Sequence, residues 1–292
     1  MITDRDKQLA HKYNISFLQL SDEHYPALLK QIHIPPAHLW VRGDSRVLSQ
    51  KSCALVGARN MNHYVHRFIR RELSALAQAG VVLVSGGARG VDTAVHEAAL
   101  AGGGKTVAIL GSGLLQPYPA ENAYLFDRIV AQGGAVISPF PLEATPRKHY
   151  FPQRNRIIAG LSMATVVLQA AQKSGALITA QYALDENRTV ATIPGAVDDS
   201  TMAGNLNLLD DGATMIRSGN DIADFIGVGE LEQVAVGASE ASWLVPYLTY
   251  PICFSELLQA TGKSESMLRK ELARLCLSGY IIQNSIGLWE LR

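Results

Sequence analysis

From residue 53 onward, short apolar runs alternate with longer segments whose apolar residues recur every three or four positions. The short runs are Cys53–Val56, Val81–Val84, Thr106–Leu110, Ala135–Ile137, Thr165–Leu168, Thr189–Ile193 and Ala213–Ile216. Between them, His63–Ala79 places Val65, Phe68, Ile69, Leu73 and Leu76 on one helical face. Val91–Ala101, Tyr124–Gln132, the stretch after Tyr150 and Ala176–Glu186 also read as helices. Short apolar strands alternating with helices predict an α/β fold: a parallel sheet with helices on both faces.

The flanks follow other patterns. Residues 1–50 read as a lead-in that packs on the main domain through Leu18, Leu20, Tyr25, Leu28, Leu29 and Ile34. Within it, Leu39-Trp40-Val41 reads as a short strand, and Tyr25-Pro26 and Pro35-Pro36 break helices. The main domain is expected over 51–226. Residues 227–242 mix glycine, alanine, serine and glutamate without periodicity and read as a linker. In 243–292, Trp243–Leu248 and Phe254–Ala260 predict two short helices. Ser264 caps a third, with Leu268, Leu272 and Leu275 on one face, which Gly279 ends. A hairpin around Asn284-Ser285-Ile286-Gly287 follows, so this tail is expected to be a small winged helix.

Composition sharpens this in two ways. The 292 residues hold 26 basic and 26 acidic side chains, so any polyanion site must be a local patch. Cys53, Cys253 and Cys276 are widely spaced and form no metal or redox motif, which suggests a reducing compartment. The polar start and the lack of a long apolar run predict a cytoplasmic protein without a membrane span.

In an open parallel sheet, ligands bind past the carboxyl ends of the strands. The turns expected there are glycine-rich: Gly57-Ala58-Arg59, Ser85-Gly86-Gly87-Ala88-Arg89-Gly90, Gly111-Ser112-Gly113 and Lys173-Ser174-Gly175. Glycines let an anion approach the backbone, and helix N-terminal amides favour negative charge. Tight packing of strand on helix would also select glycine. The stretch Arg147–Arg156 holds four cations, two aromatics and no carboxylate. Cations suit phosphates and rings stack on bases. A solvated basic loop capping a helix is the plainer reading. Asp92 and His96 stand four apart on one helix, as a dyad or as a packing pair. No dinucleotide fingerprint, phosphate loop, nucleophile elbow or metal-ligand spacing is present, so no cofactor, metal or catalytic residue is assigned.

Five segments together resemble the DprA/Smf family of DNA-processing proteins. They are Val56–Arg59; Val84–Asp92 with His96; Leu110–Gly113 with Tyr118-Pro119 and Asn122; Phe151–Ser162; and Ser174–Ala180 with Pro194-Gly195. The resemblance runs from about residue 15 to 225. It implies an extended Rossmann-like domain, a homodimer, single-stranded DNA as ligand and a RecA recombinase as partner. The implied role is protection of incoming strands and recombinase loading in natural transformation, without enzymatic activity. The expected nucleic-acid-binding set is Gly57, Arg59, Ser85, Gly86, Arg89, Gly111, Lys148, Phe151, Gln153, Arg154, Asn155, Arg156, Lys173, Ser174 and Gly175. The chain departs from the family at Pro139, Gln169 and Leu206. A nucleotide-processing enzyme of the phosphoribohydrolase type is the alternative, and Glu97 would be its acid. A transcription regulator reading DNA through the tail fits less well, since 240–292 balances five cations against five carboxylates.

Overall fold

Each apolar run of the central region becomes a strand, and glycine or a polar residue ends it. These strands are β3 (Ser52–Gly57), β4 (Val82–Ser85), β5 (Thr106–Ile109), β6 (Ala135–Ser138), β7 (Ala164–Gln169), β8 (Thr189–Thr192) and β9 (Thr214–Met215). Two more precede them, β1 (Ile15–Gln19) and β2 (His38–Gly43). All nine form one sheet in the order β1-β2-β6-β5-β4-β3-β7-β8-β9. Neighbours from β6 to β9 run parallel, whereas β1–β2 and β2–β6 run antiparallel. The computed structural model describes residues 3–231, 243–248, 251–277, 280–284 and 287–291.

The lead-in therefore contributes two strands to the sheet and does more than pack against it. The sequence reading recognises β2 at Leu39–Val41 and misses β1. The cause is local: Ile15 and Leu18 are buried, but Ser16 and Gln19 are exposed, so burial does not alternate cleanly. Tertiary pairing with β2 makes the strand, register Ile15 with Arg42 through Gln19 with His38.

The helices are α1 (Asp4–Lys12), α2 (Ala27–Lys30), α3 (His63–Gln78), α4 (Val91–Ala101), α5 (Ala123–Ala131), α6 (Tyr150–Leu161), α7 (Gly175–Asp185), α8 (Ala203–Asp210) and α9 (Gly219–Ile226). Alternate strand positions serve opposite faces. Cys53 and Leu55 of β3 pack with Val65, Phe68 and Ile69 of α3, Val95 of α4 and Ile222 of α9. Ala54 and Val56 pack with Leu29 of α2, Ile157, Ile158 and Leu161 of α6, and Ala180 of α7. The strands are thus apolar throughout because both faces are covered.

The chain builds outward from β3 to β6, returns through α6, and lays β7 on the other flank of β3. This reversal makes the carboxyl ends of β3 and β7 the switch point, where ligands of such sheets bind.

The chain divides into two compact units, Met1–Val234 and Ala235–Arg292. The second contains a short 3-10 turn (Val245–Tyr247), α10 (Phe254–Thr261), α11 (Glu265–Leu277), β10 (Ile281–Gln283) and β11 (Trp289–Leu291). Its own core joins Leu244, Leu248, Leu257, Leu268, Leu272, Leu275 and Ile281. The expected linker from 232 to 242, Gly279 and the turn residues 285–286 lie outside the described residues.

Candidate nucleic-acid interface

The rim at the carboxyl ends is organised around α6. Pro152 lies in its first turn, where a missing N–H costs little, and Ile157, Ile158 and Leu161 anchor it to the sheet. Phe151, Arg154 and Asn155 share one face at spacings of three and four, and all three contact strand-end turns.

Phe151 lies against Gly111, where an added Cβ would stand 2.8 Å from its ring. Tyr118 meets the same ring edge-on at 5.9 Å, and the Arg59 guanidinium lies 5.7 Å from its centre. Arg59 is exposed. A cation and two aromatic rings thus share one patch of rim. Tyr118 belongs to this site although the sequence reading does not include it. Its only signal there is the Tyr118-Pro119 pair.

Arg154 does not stand on the rim as expected. It is 5% exposed, and its guanidinium donates to the main-chain oxygens of Gly86 and Ile109. Its Nε donates to Asn155 Oδ1 at 3.0 Å, and Asn155 Nδ2 donates to the Gly175 oxygen at 3.4 Å. Glycine at 86 leaves room for this group, since an added Cβ would run into the guanidinium. Burial pulls Arg154 down to about 10, a shift the charge of Asp92 opposes and that of Arg59 reinforces. Asp92 is 6% exposed and accepts from Ala88 N at 3.2 Å. Burial pushes its carboxyl up, while Arg154 holds it down. Asp92 and Arg154 form a buried counter-charged support beneath the turn 86–90.

The remaining expected residues divide. Ser85 is fully buried and its hydroxyl donates to the Leu55 oxygen at 2.7 Å, so it fixes the turn internally. Gly57 faces Val91, with 2.7 Å between a built Cβ and a methyl group, which is the packing explanation. Gly175 meets nothing within 4 Å and is open. Ser174 caps α7, accepting from Ala176 N at 3.3 Å. Lys148, Gln153 and Lys173 are exposed. Arg89 is exposed but ion-paired with Glu121. Arg156 cannot share the face of Arg154, because residues two apart on a helix point in nearly opposite directions. Its charge is felt instead by the buried Tyr25 phenol of the lead-in.

Two buried amides also shape the rim. Gln169 accepts from Asn62 N at 2.9 Å and donates to the Asn60 oxygen at 3.3 Å, which binds the turn after β3 to the end of β7. Asn205 accepts from Ala170 N at 2.7 Å and donates to Thr192 Oγ1 at 2.8 Å, joining the ends of β7 and β8.

Asp92 and His96 form no catalytic dyad here. Thr106 donates its hydroxyl proton to the Leu83 oxygen, so its oxygen accepts from His96 Nδ1 at 2.7 Å. Burial first, and Arg154 second, pull His96 from 6.5 down to about 3. The unfolded chain therefore takes up a proton below pH 6.5 that the folded chain refuses until about pH 3. This group subtracts about 1.4 kcal/mol of stability per pH unit across that window and nothing above it. His96→Gln is expected to flatten this part of the acid profile. Urea midpoints of parent and variant at neutral and mildly acidic pH check it, and parallel profiles would remove His96 as the cause.

Among the described residues, no group of three metal-ligating side chains occurs and no helix is long and apolar enough to cross a membrane. A depression of about 580 Å³ lies at the opposite ends of the strands, lined by Tyr13, Arg42, Asp44 and Arg46. Arg42 and Arg46 are already paired there with Asp127 and Asp44, so it offers no free cations to an anion.

A family model described as DNA recombination-mediator protein A matches residues 16–227. The chain is 38% identical over 250 residues to Protein Smf of Synechocystis sp., covering 81% of this chain and 63% of that relative. It thus spans less than two thirds of that relative's length. The X-ray structure of DNA processing protein A from Streptococcus pneumoniae is similar with a TM-score of 0.69 and 36% identity, over 78% of each chain. A solved structure of DNA processing protein A from Helicobacter pylori is similar with a TM-score of 0.65 and 28% identity, over 73% of this chain and 95% of that one. The Helicobacter pylori protein has a single-stranded DNA binding mode.

Proposed function

The chain belongs to the DNA recombination-mediator protein A family, and from that premise we propose that it binds single-stranded DNA along the carboxyl-end rim of its sheet. The observation that carries this reading is the patch formed by Arg59, Phe151 and Tyr118. Rings accept unstacked bases of any sequence, and the adjacent guanidinium takes the phosphate. Lys148, Gln153 and Lys173 extend the exposed polar rim on either side. The buried Asp92–Arg154 support keeps the turn 86–90 in place below them. A duplex keeps its bases stacked away from such rings, so single strands are favoured.

In this reading the protein is a cytoplasmic homodimer that protects incoming strands and loads a RecA recombinase during natural transformation. Two rims on one strand raise avidity through effective concentration. It performs no hydrolysis. Glu97, the acid required by a nucleotide-processing enzyme, lies six residues into α4, roughly 9 Å along the helix from the rim. The Helicobacter pylori relative's binding of single-stranded DNA supports the same ligand here.

Fluorescence anisotropy with single-stranded and duplex oligonucleotides at two salt concentrations tests the reading. The single strand is expected to bind more tightly, with affinity falling steeply as salt rises, because each neutralised phosphate releases counterions. Equal affinity for duplex, or affinity insensitive to salt, would overturn it.

A further inference from the structure

Beyond Tyr118 the chain stays at the carboxyl ends of the strands. Asn122 is buried, and its Nδ2 donates to the Gly87 oxygen at 2.9 Å and to Thr93 Oγ1 at 2.8 Å. These bonds fasten the start of α5 to the turn 86–90 and to the first turn of α4. Pro119 is buried and Ala123 half-buried, so residues 118–124 present Tyr118, Ala120, Glu121 and Tyr124 to solvent. Two rings thus stand with one carboxylate between them. Tyr124 follows Glu121 by three residues, on the same side of the helical turn and roughly 5 Å along its axis.

A lone exposed tyrosine carries no message, because single apolar side chains are common on protein surfaces. Tyr124 has company. It is 73% exposed, the most exposed tyrosine among the described residues, so the fold makes little use of its ring. The ring of Tyr118, at the other end of the same short segment, already meets Phe151 edge-on at 5.9 Å. A cation also stands beside it. Arg89 is ion-paired with Glu121, and the two side chains are 66% and 57% exposed. Such a solvated pair contributes little to stability. A phosphate offers the guanidinium the same fork of oxygens as the carboxylate does. It can therefore take the place of Glu121.

We propose that the first turn of α5 is a second nucleotide station on the rim: Tyr124 stacks a base, and the phosphate beside that base displaces Glu121 from Arg89. The station rests on the rim reading above and extends it past the patch of Arg59, Phe151 and Tyr118. Glu121 acts as an internal competitor for Arg89, and stacking on Tyr124 offsets the cost of its release. A duplex gains nothing here, because it has no unstacked base to offer the ring.

The test titrates the full chain with an oligothymidylate of about 16 nucleotides at a series of salt concentrations. Tyr124→Ala is expected to bind roughly fivefold more weakly with an unchanged salt slope, since it removes a stack and no charge. Tyr124→Trp is expected to bind at least as well as the parent, and its fluorescence is expected to be quenched beyond the parent's as the strand saturates. Glu121→Gln is expected to bind roughly threefold more tightly, with a slope higher by about 0.7, because Arg89 then neutralises one more phosphate. Glu97→Gln removes an exposed carboxylate of α4 away from the rim and is expected to behave as the parent. A silent Tyr124→Ala overturns the station. So does a Glu121→Gln that gains nothing, or no more than Glu97→Gln, for then only net charge has changed. If Phe151→Ala, run beside them, is silent as well, the rim reading fails. If Phe151→Ala weakens binding while Tyr124→Ala and Glu121→Gln stay with the parent, the station alone fails. Should Tyr124→Ala melt early by circular dichroism, Tyr124→Trp decides: no quench beyond the parent's overturns the station.

Discussion

Arg154→Ala is expected to lower the melting temperature by roughly 10 °C. Arg154 is buried, and its guanidinium satisfies the carbonyls of Gly86 and Ile109 while facing Asp92. Alanine removes the cation and leaves a carboxylate and two carbonyls without it. Breaking a buried pair from one side costs about 3–5 kcal/mol, far more than the pair's net contribution to stability. In a domain of this size each kcal/mol moves the midpoint by roughly 2–4 °C. Lysine is expected to rescue little, because a point ammonium cannot fork to two carbonyls as the planar guanidinium does. Asp92→Asn is expected to destabilise less than additively in the Arg154→Ala background, since each removes the other's partner. Calorimetry on the two single variants and the double variant checks this. An Arg154→Ala chain that melts with the parent yet loses DNA would reverse the assignment and make Arg154 a direct ligand.

This burial was not legible along the chain. Arg154 sits in a run of cations and amides, and nothing local says which of them turns inward. The separation of Arg154 from Arg156 was legible in principle. Their stretch is helical from Tyr150, and two-residue spacing reverses direction on a helix. Reading the run as a basic patch hid that spacing. The pairing of Arg89 with Glu121 spans 32 positions and has no local signature. The glycine-rich turns were legible, but their reasons were not. Gly57, Gly86 and Gly111 make room for Val91, Arg154 and Phe151, whereas Gly175 is open. Close packing and anion approach select the same residue type, and only the neighbours separate them.

The strands were legible because both-face burial makes them continuous apolar runs between turns. β1 escaped because it is an edge strand made by pairing with β2, not by its own pattern. Gln169 and Asn205 show a different limit. Both are buried amides that join strand ends through several hydrogen bonds. Sequence marks Gln169 and Leu206 only as departures from the family pattern. The structure shows Gln169 serving two partners at once, as an amide can and an ionised carboxylate cannot.

Phe151→Ala and Arg59→Ala are expected to have the largest effects on DNA affinity, and to differ in kind. Phe151 offers a half-buried ring that packs on Gly111 and is flanked by Tyr118 and Arg59. Losing base stacking costs about 1–3 kcal/mol per base, so Phe151→Ala is expected to weaken single-strand binding roughly 5- to 150-fold. No phosphate contact is lost, so the salt slope is expected to stay unchanged. Arg59→Ala removes a charge-assisted contact of about 1.5–3 kcal/mol and is expected to lower the slope by about 0.7. Because the guanidinium also lies over the Phe151 ring, the two losses are coupled. The ring helps to aim the cation, so the double variant is expected to lose less than the sum. Arg59 is exposed and Phe151 only half-buried, so neither change should approach the melting cost of Arg154→Ala. Titrations over a series of salt concentrations separate the two roles. Equal slopes for parent and Arg59→Ala would remove Arg59 from the phosphate path. A lowered slope for Phe151→Ala would mean that the ring's main service is to hold the cation in place, not to stack.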